Sequence, residues 1–245
     1  MSELLYGRNA VREALDGRRT ATRLFVMRGT ESHERVRALV GTARRRGVGV
    51  MMVSRPELER LVGAVNHQGV VLETEPYPYV DLNDLLVPGG PDAAPLLVLD
   101  HLQDPQNLGT LMRTAEAAGV AGIVVPERRA SAITPAVVNA SAGAVEHLRI
   151  AQVTNISRSL EQVKEGGYWA VAIEDVAGAD VLFTADIPLP AALVVGSEGK
   201  GIAPTVLAHC DVVVRLPMFG RVGSLNAAVA GSIALYELVR RRSAR

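Results

Sequence analysis

The sequence predicts an α/β protein with a small N-terminal domain and a larger C-terminal domain built on a parallel sheet. Short apolar runs typical of buried strands alternate with segments of helical period along most of the chain. A proline-rich stretch interrupts this alternation once. Near the C-terminus, two glycine-rich segments each follow an apolar run, as ligand-binding loops do at the carboxyl ends of parallel strands.

The N-terminal part, residues 1–75, is predicted to contain three helices and three strands. The segment 32–46 is predicted to be helical because Val36, Leu39 and Ala43 recur at helical spacing. The predicted helices are 9–15, 32–46 and 56–62, and the predicted strands are 23–27, 48–53 and 70–73. Helices that alternate with strands in this way predict a three-layer α/β sandwich.

Residues 76–95 are predicted to be a linker. The segment contains Pro76, Pro78, Pro88, Pro91 and Pro95. Proline lacks a backbone N–H and restricts the residue before it, so a continuous helix or strand is not expected here.

The alternation resumes in the C-terminal domain, residues 96–245. The predicted strands are 96–100, 122–125, 150–153, 168–173, 193–195 and 212–216, and the predicted helices are 108–118, 135–142, 156–165 and 225–241. Parallel strands joined through helices are the expected arrangement. Asn107 and Ser224 precede two of these helices and are suitable N-cap residues.

Composition favours a soluble, cytoplasmic protein. The chain has 245 residues, 48% of them hydrophobic, and no run reaches the roughly 18 apolar residues expected of a membrane span. The first twenty residues include several charged side chains, whereas a signal peptide has an apolar core in this region. The single cysteine, Cys210, excludes an intramolecular disulfide, and a small buried residue is a better interpretation of it than a nucleophile.

The net charge is zero, but the two parts of the chain differ. Residues 1–75 carry 13 Arg against 9 acidic residues, whereas the remainder carries 13 basic and 17 acidic residues. A basic N-terminal part is compatible with an RNA-recruiting module, because arginine pairs with phosphate and stacks on bases. An ordinary solvated surface explains the same charges.

Three segments carry the functional signal: DHLQDPQNLGTLMRTAEAAG (100–119), LVVGSEGKGIAP (193–204) and RLPMFGRVGSLNAAVAGS (215–232). In this order they resemble the three motifs of the SpoU or TrmH family of RNA ribose 2′-O-methyltransferases. The matching residues are Asn107, Gly109, Arg113, Thr114, Ala115, Gly196, Glu198, Gly201, Pro217, Met218, Ser224, Leu225 and Asn226. The sequence departs from the family at Ala227–Ala230, where Val-Ser-Val-Ala is common, and at Gly223, where Ser is frequent.

The resemblance implies a SPOUT fold, in which a parallel sheet is tied in a trefoil knot, and S-adenosyl-L-methionine as cofactor. It implies a homodimer whose interface includes Leu235, Leu238 and Tyr236 of the final helix. The segments LLYGRNAVREAL and NHQGVV resemble the RNA-binding domain of RlmB-type rRNA methyltransferases. The implied reaction is 2′-O-methylation of a guanosine in 23S rRNA. A tRNA methyltransferase and a non-catalytic ribosome-assembly factor are the alternatives.

The resemblance also implies roles for individual residues. Arg113 would polarise the target ribose hydroxyl, and Glu198 would orient Arg113. The implied catalytic residues are Arg113, Asn107, Glu198, Ser224 and Asn226, and the implied cofactor-binding residues are Gly196, Leu216, Leu225, Met218 and Gly201. The histidines lack the spacing of metal ligands, so no metal is expected.

Overall fold

The structure, a computed structural model, describes residues 2–86, 89–128 and 132–244. Val87 and Pro88 of the predicted linker therefore lie outside the described residues. The chain divides into two compact units. Unit 1 comprises Met1–Pro78 and Ile133–His147, and unit 2 comprises Tyr79–Ala132 and Leu148–Arg245.

Unit 1 contains a four-stranded mixed sheet in the order β1-β4-β2-β3. Its first elements are β1 (Glu3–Tyr6), α1 (Arg8–Asp16), β2 (Ala21–Met27), α2 (Glu34–Arg45), β3 (Gly49–Val53), α3 (Arg55–Val62) and β4 (Val70–Thr74). Strands β2 and β3 are parallel, whereas β4 is antiparallel to both β1 and β2. The predicted helices agree with α1, α2 and α3 to within two residues, but β1 was not predicted.

Helices cover the sheet of unit 1 because its strands are apolar on both faces. Phe25 of β2 and Val71 of β4 form a core cluster with Leu58 of α3. Their neighbours Leu24 and Leu72 are also buried, and alternation of side chains along a strand directs them to the opposite face. Helices α1 and α2 contact each other and different strands of the sheet.

The segment Ile133–His147 differs from its predicted place in the C-terminal domain, since its contacts group it with unit 1. It contains α5 (Pro135–Ala140) and a 3-10 turn, Ala144–His147. Buried Arg19 forms an ion pair with buried Glu146 at 3.0 Å, and the Arg19 guanidinium lies 5.2 Å from the centre of the Tyr77 ring. Burial raises the pKa of Glu146 to about 7, although Arg19 opposes the shift.

Part of the predicted linker is instead built into unit 2. The backbone of Val80 forms a parallel bridge with Ala151, and Leu82 and Leu85 are buried in the core of the unit. Leu85 also occupies the space that a side chain at Gly122 would need, 2.5 Å from the position of its Cβ. The prolines prevent a long element, but the apolar residues between them still fold against the sheet.

Unit 2 is built on a seven-stranded sheet, ordered β7-β6-β5-β10-β8-β11-β9, in which every pairing is parallel. Its strands are β5 (Leu96–Leu99), β6 (Gly122–Pro126), β7 (Ile150–Val153), β8 (Trp169–Ile173), β9 (Asp180–Val181), β10 (Ala191–Val195) and β11 (Val212–Arg215). Its helices are α4 (Pro105–Ala117), α6 (Ile156–Glu165), α7 (Pro204–Leu207) and α8 (Ala227–Ser243). The α/β fold and the parallel sheet that the sequence predicted are confirmed, whereas β9 and α7 were not predicted.

Helix α8 packs on α4 and β10 within unit 2. A Cβ atom at Gly231 would lie 3.1 Å from both Leu111 and Val195, so the helix approaches the core closely at this glycine. Leu235 and Leu238, predicted at a dimer interface, are instead buried inside the unit. The large hydrophobic residues of α8 that remain exposed are Val229, Ile233 and Tyr236.

No helix in the described part of the chain is both long enough and apolar enough to cross a membrane.

Candidate active site

A cavity of about 560 Å³ opens at the carboxyl edge of the sheet in unit 2. Its walls come from the ends of three neighbouring strands, β10, β8 and β11, and from the residues that follow them. Two loops form most of the lining: residues 196–201, here called the glycine loop, and residues 216–226, here called the serine loop. Open α/β sheets bind ligands at this edge.

The glycine loop is a tight hairpin held together by its own backbone. Ser197 and Gly201 exchange two backbone hydrogen bonds of 3.0 Å. A Cβ atom at Gly196 would lie only 2.2 Å from the carbonyl carbon of Gly201. Gly201 has a φ of +63°, and a Cβ there would meet the Glu174 carboxylate at 2.4 Å. Glycine is therefore required at both ends of this loop.

Asn226 joins three motif residues into one hydrogen-bonded group, here called the amide cluster (Asn107, Glu198 and Asn226). Its Nδ2 donates to Asn107 Oδ1 at 2.7 Å and to Glu198 Oε1 at 2.5 Å. Its Oδ1 accepts the backbone N–H groups of Ala228 at 2.9 Å and Val229 at 3.2 Å. Every hydrogen-bonding position of the Asn226 amide is thus used, which fixes its orientation.

The amide cluster lies where two helices begin, and the structure corrects both predicted caps. Asp104 caps α4 by accepting the backbone N–H of Asn107 at 2.9 Å, so Asn107 is inside the helix and its side chain is free for the cluster. Asn226 caps α8 in place of Ser224. The dipole of α8 adds partial positive charge at its N-terminus, where Asn226 holds the Glu198 carboxylate.

The five predicted cofactor-binding residues all line the cavity: Gly196, Gly201, Leu216, Met218 and Leu225. Of the predicted catalytic residues, Glu198, Ser224 and Asn226 also line it, and Asn107 is connected to them through Asn226.

Arg113 is not brought into the cavity. It is exposed on α4, and it makes no hydrogen bond or ion pair with any residue that the structure describes. Glu198, which was expected to orient Arg113, accepts a hydrogen bond from Asn226 instead. The Arg113 guanidinium is therefore available to a group from outside unit 2.

Sequence reasoning missed several polar residues of the site. Glu174, Asp175, Lys200 and Arg215 line the cavity as well. Glu174 and Asp175 directly follow β8, so the change from an apolar run to two acidic residues could have indicated them.

The described residues offer little support for a cysteine nucleophile or for a metal site. Burial raises the pKa of the Cys210 thiol to about 12, so a reactive thiolate is not favoured. Within those residues, no group of three or more His, Cys, Asp or Glu side chains is arranged to hold a metal ion.

A parallel sheet with a cavity between two glycine-containing loops at its carboxyl edge defines a cofactor-binding α/β protein. A family model described as "SpoU rRNA Methylase family" matches residues 94–236, and one described as "RNA 2'-O ribose methyltransferase substrate binding" matches residues 4–80. The chain belongs to the SpoU/TrmH family of RNA methyltransferases.

Relatives match along nearly the whole chain. A Bacillus subtilis protein named for the TrmH family of tRNA/rRNA methyltransferases, YacO, is 40% identical over 98% of this chain and 96% of its own length. An uncharacterized tRNA/rRNA methyltransferase of Synechocystis, slr0955, is 41% identical, but this chain spans only 63% of its length.

Among solved structures, an AdoMet-bound rRNA methyltransferase from Sinorhizobium meliloti is similar with a TM-score of 0.80 and 27% identity. The match covers 98% of this chain and 87% of the other. AdoMet is S-adenosylmethionine, and SpoU methyltransferases use it as their cofactor. The predicted family and its cofactor are thereby confirmed.

Proposed function

We propose that this protein transfers a methyl group from S-adenosylmethionine to the 2′-oxygen of a ribose in RNA, and that the target is a guanosine of 23S rRNA. The observation that carries the proposal is the amide cluster, because it joins one residue from each of the three motifs beside one cavity. The two family models that match the two parts of the chain support the same reaction class.

The cavity fits a cofactor of this kind. Its volume of about 560 Å³ lies within the roughly 300–1,000 Å³ usual for such sites. Leu216, Met218 and Leu225 supply an apolar surface for a planar base, and Gly196 and Gly201 allow a ligand to approach the backbone. When bound, S-adenosylmethionine supplies an electrophilic methyl group.

The residues of the chain would then orient the ribose and make its 2′-hydroxyl group more acidic. Ser224 and Glu198 would bind the nucleotide, since a hydroxyl and a carboxylate line the same cavity, and Asn226 would hold Glu198 in place. Arg113 would attract the adjoining phosphate and favour loss of the ribose proton, because its guanidinium has no partner among the described residues.

The family of the chain also leads to an expectation about the topology of unit 2. We expect the trefoil knot of the SPOUT fold, in which the segment that carries the serine loop passes through an earlier loop. The central position of β10, between β5 and β8, is compatible with this arrangement, because strands from distant parts of the chain become neighbours.

Unit 1 would recruit the RNA. Arg8, Arg12 and Arg35 line a groove of about 440 Å³ between α1 and α2. Two hydrogen bonds of 3.1 Å join Arg8 to Gln68, so the two segments that resemble an RNA-binding domain meet here. Arginines at such a groove suit contact with backbone phosphates. An Arg8→Ala/Arg35→Ala variant should raise the KM for RNA and leave S-adenosylmethionine binding unchanged.

A homodimer is the expected assembly, and the exposed face of α8 is the surface proposed for it. Val229, Ile233 and Tyr236 recur at helical spacing and remain exposed on this helix. Light scattering at micromolar concentration should give the mass of two chains, and a monomer would contradict the proposal. The expected location is the cytoplasm, where ribosomes are assembled.

The decisive experiment is methyl transfer from labelled S-adenosylmethionine to total rRNA and, separately, to tRNA from a strain that lacks this gene. Label at one guanosine of 23S rRNA supports the proposal. Label in tRNA would favour the tRNA methyltransferase. Label in neither, with tight RNA binding, would favour a non-catalytic assembly factor.

Arg113→Ala tests the assigned chemistry. The variant should lose methyl transfer and keep S-adenosylmethionine binding, whereas Arg158→Ala, a matched change of an exposed arginine on α6, should keep both. An unchanged rate for Arg113→Ala would exclude the role proposed for this residue.

A further inference from the structure

Two carboxylates hold the base of the glycine loop, and neither belongs to the residues assigned to the cofactor or to catalysis above. The loop begins after Val195, the last residue of β10, and ends at Gly201. Ile202 and Ala203 follow it directly, before α7. Asp100 Oδ2 accepts the backbone N–H of Ala203 at 2.7 Å, and Glu174 Oε2 accepts that of Ile202 at 2.8 Å. The two acceptors therefore engage consecutive peptide groups.

The order of strands explains why the carboxylates reach the loop from both sides. Asp100 directly follows β5, and Glu174 directly follows β8, which are the two neighbours of β10 in the sheet. The backbone of each is tied to the sheet as well: Asp100 donates its N–H to Val195 at 2.8 Å, and Glu174 donates its N–H to Val214 at 2.9 Å. Rigid strand ends thus support both side chains.

Burial strengthens the Asp100 bond most, because Asp100 is buried whereas Glu174 is only partly buried. Asp100 is only 1% exposed, and its second oxygen contacts Nδ1 of His101 at 2.5 Å. The Glu174 carboxylate fills the space beside Gly201 that any larger residue would occupy. A buried carboxylate that accepts a backbone N–H makes a charge-assisted bond, and removal of either partner leaves a polar group unsatisfied.

We propose that Asp100 and Glu174 are positioning residues that clamp the base of the glycine loop in the shape that binds the cofactor. Neither needs to touch a reacting atom. The inference rests on the proposed function, since it takes the cavity as the site of S-adenosylmethionine.

The test measures binding of S-adenosylmethionine alone, by calorimetry, to the full chain and to the variants Asp100→Asn and Glu174→Gln. Each variant keeps a neutral oxygen that can accept the same N–H, so the fold should survive with a weaker bond. The expected result is a rise in Kd of about tenfold for each variant. The KM for S-adenosylmethionine should rise in parallel, and kcat at saturating cofactor should stay within about threefold.

Asp211→Asn is the matched control. Asp211 Oδ2 accepts the backbone N–H of Ala170 at 2.8 Å, so it makes the same kind of bond at the opposite end of β8. A role confined to stability predicts that all three variants lower Tm and that none changes the Kd. Clamping predicts a higher Kd for Asp100→Asn and Glu174→Gln only.

The outcomes separate the clamp from the proposed function. If the unaltered protein binds S-adenosylmethionine and both variants bind it within twofold as tightly, the clamp is wrong and the proposed function stands. If the unaltered protein does not bind S-adenosylmethionine, the proposed function fails and the clamp fails with it.

Discussion

The glycine loop and the serine loop lie at the same edge of one sheet, but the two glycines at the base of the glycine loop and those of the serine loop have opposite surroundings. At Gly196 and Gly201 the position of a Cβ atom is already filled, by backbone at 2.2 Å and by a carboxylate at 2.4 Å. At Gly220 and Gly223 nothing lies within 4 Å of that position. Phe219, in the serine loop, is 96% exposed.

The difference indicates that the two loops have different binding functions. A loop closed by its own backbone and by fixed side chains has its binding shape before a ligand arrives, which lowers the entropic cost of binding. A loop with free space around its glycines can adapt to a larger, variable substrate. We therefore expect substitutions in the glycine loop to affect the cofactor, and those in the serine loop to affect RNA.

The largest effect is expected for Gly196→Ala. The added methyl group would lie 2.2 Å from the backbone of Gly201, so the hairpin must open or shift. Binding of S-adenosylmethionine should weaken on the order of 100-fold, equal to about 2.7 kcal/mol. Calorimetry measures the Kd, and thermal unfolding shows whether the variant is folded. A folded variant with unchanged affinity would contradict the view that this loop is pre-shaped.

Asn226→Asp separates the cap of α8 from the amide cluster. Aspartate caps helices about as well as asparagine, so the bonds to Ala228 and Val229 survive and Tm should stay near the original value. The donor to Asn107 and Glu198 is lost, and two carboxylates then face each other.

A drop in kcat of about 10- to 100-fold is therefore expected for Asn226→Asp, with little change in cofactor Kd. Single-turnover methyl transfer measures it. A large fall in Tm without a fall in kcat would show that Asn226 acts only as a cap.

The sequence alone predicts most helices and strands of this fold because their signal is local. The helical spacing of apolar residues predicts the bounds of α1, α3 and α6 to within about one residue. The grouping of Ile133–His147 with unit 1 could not be predicted this way, because it depends on contacts between residues far apart in the sequence, such as the bond between Arg19 and Glu146, 127 positions apart. Two-residue β9 is too short for any pattern.

The site was predicted as a set of residues and not as a set of contacts. The motifs identify Glu198 and Asn226, but the hydrogen bond between them depends on how two loops meet. The misplaced cap of α4 had a readable signal, since Asp104 precedes Pro105, and proline favours the first helical position. The clamp residues had only a weak signal, one acidic residue after the apolar run of β5 and two after that of β8.

Phe219→Ala should affect RNA and not the cofactor. An aromatic ring exposed beside the cavity suits stacking on an unpaired base, which is worth about 1–3 kcal/mol per base. The KM for RNA should rise about fivefold, the lower end of that range, with the S-adenosylmethionine Kd unchanged. Phe219→Tyr, which keeps the ring, is the control. A change in cofactor affinity instead would show that the serine loop supports the glycine loop directly.

The smallest effect is expected for Gly223→Ser, which introduces the residue frequent at this position in the family. The Cβ atom of the new side chain has open space around it, with no contact within 4 Å, and the φ of Gly223 is outside the left-handed region that favours glycine. Both kcat and the two KM values should stay within twofold, while Gly196→Ala abolishes tight cofactor binding. A tenfold loss would mean that the serine loop closes on its ligand until Gly223 has no free space, and the contrast between the two loops would then describe only the unliganded protein.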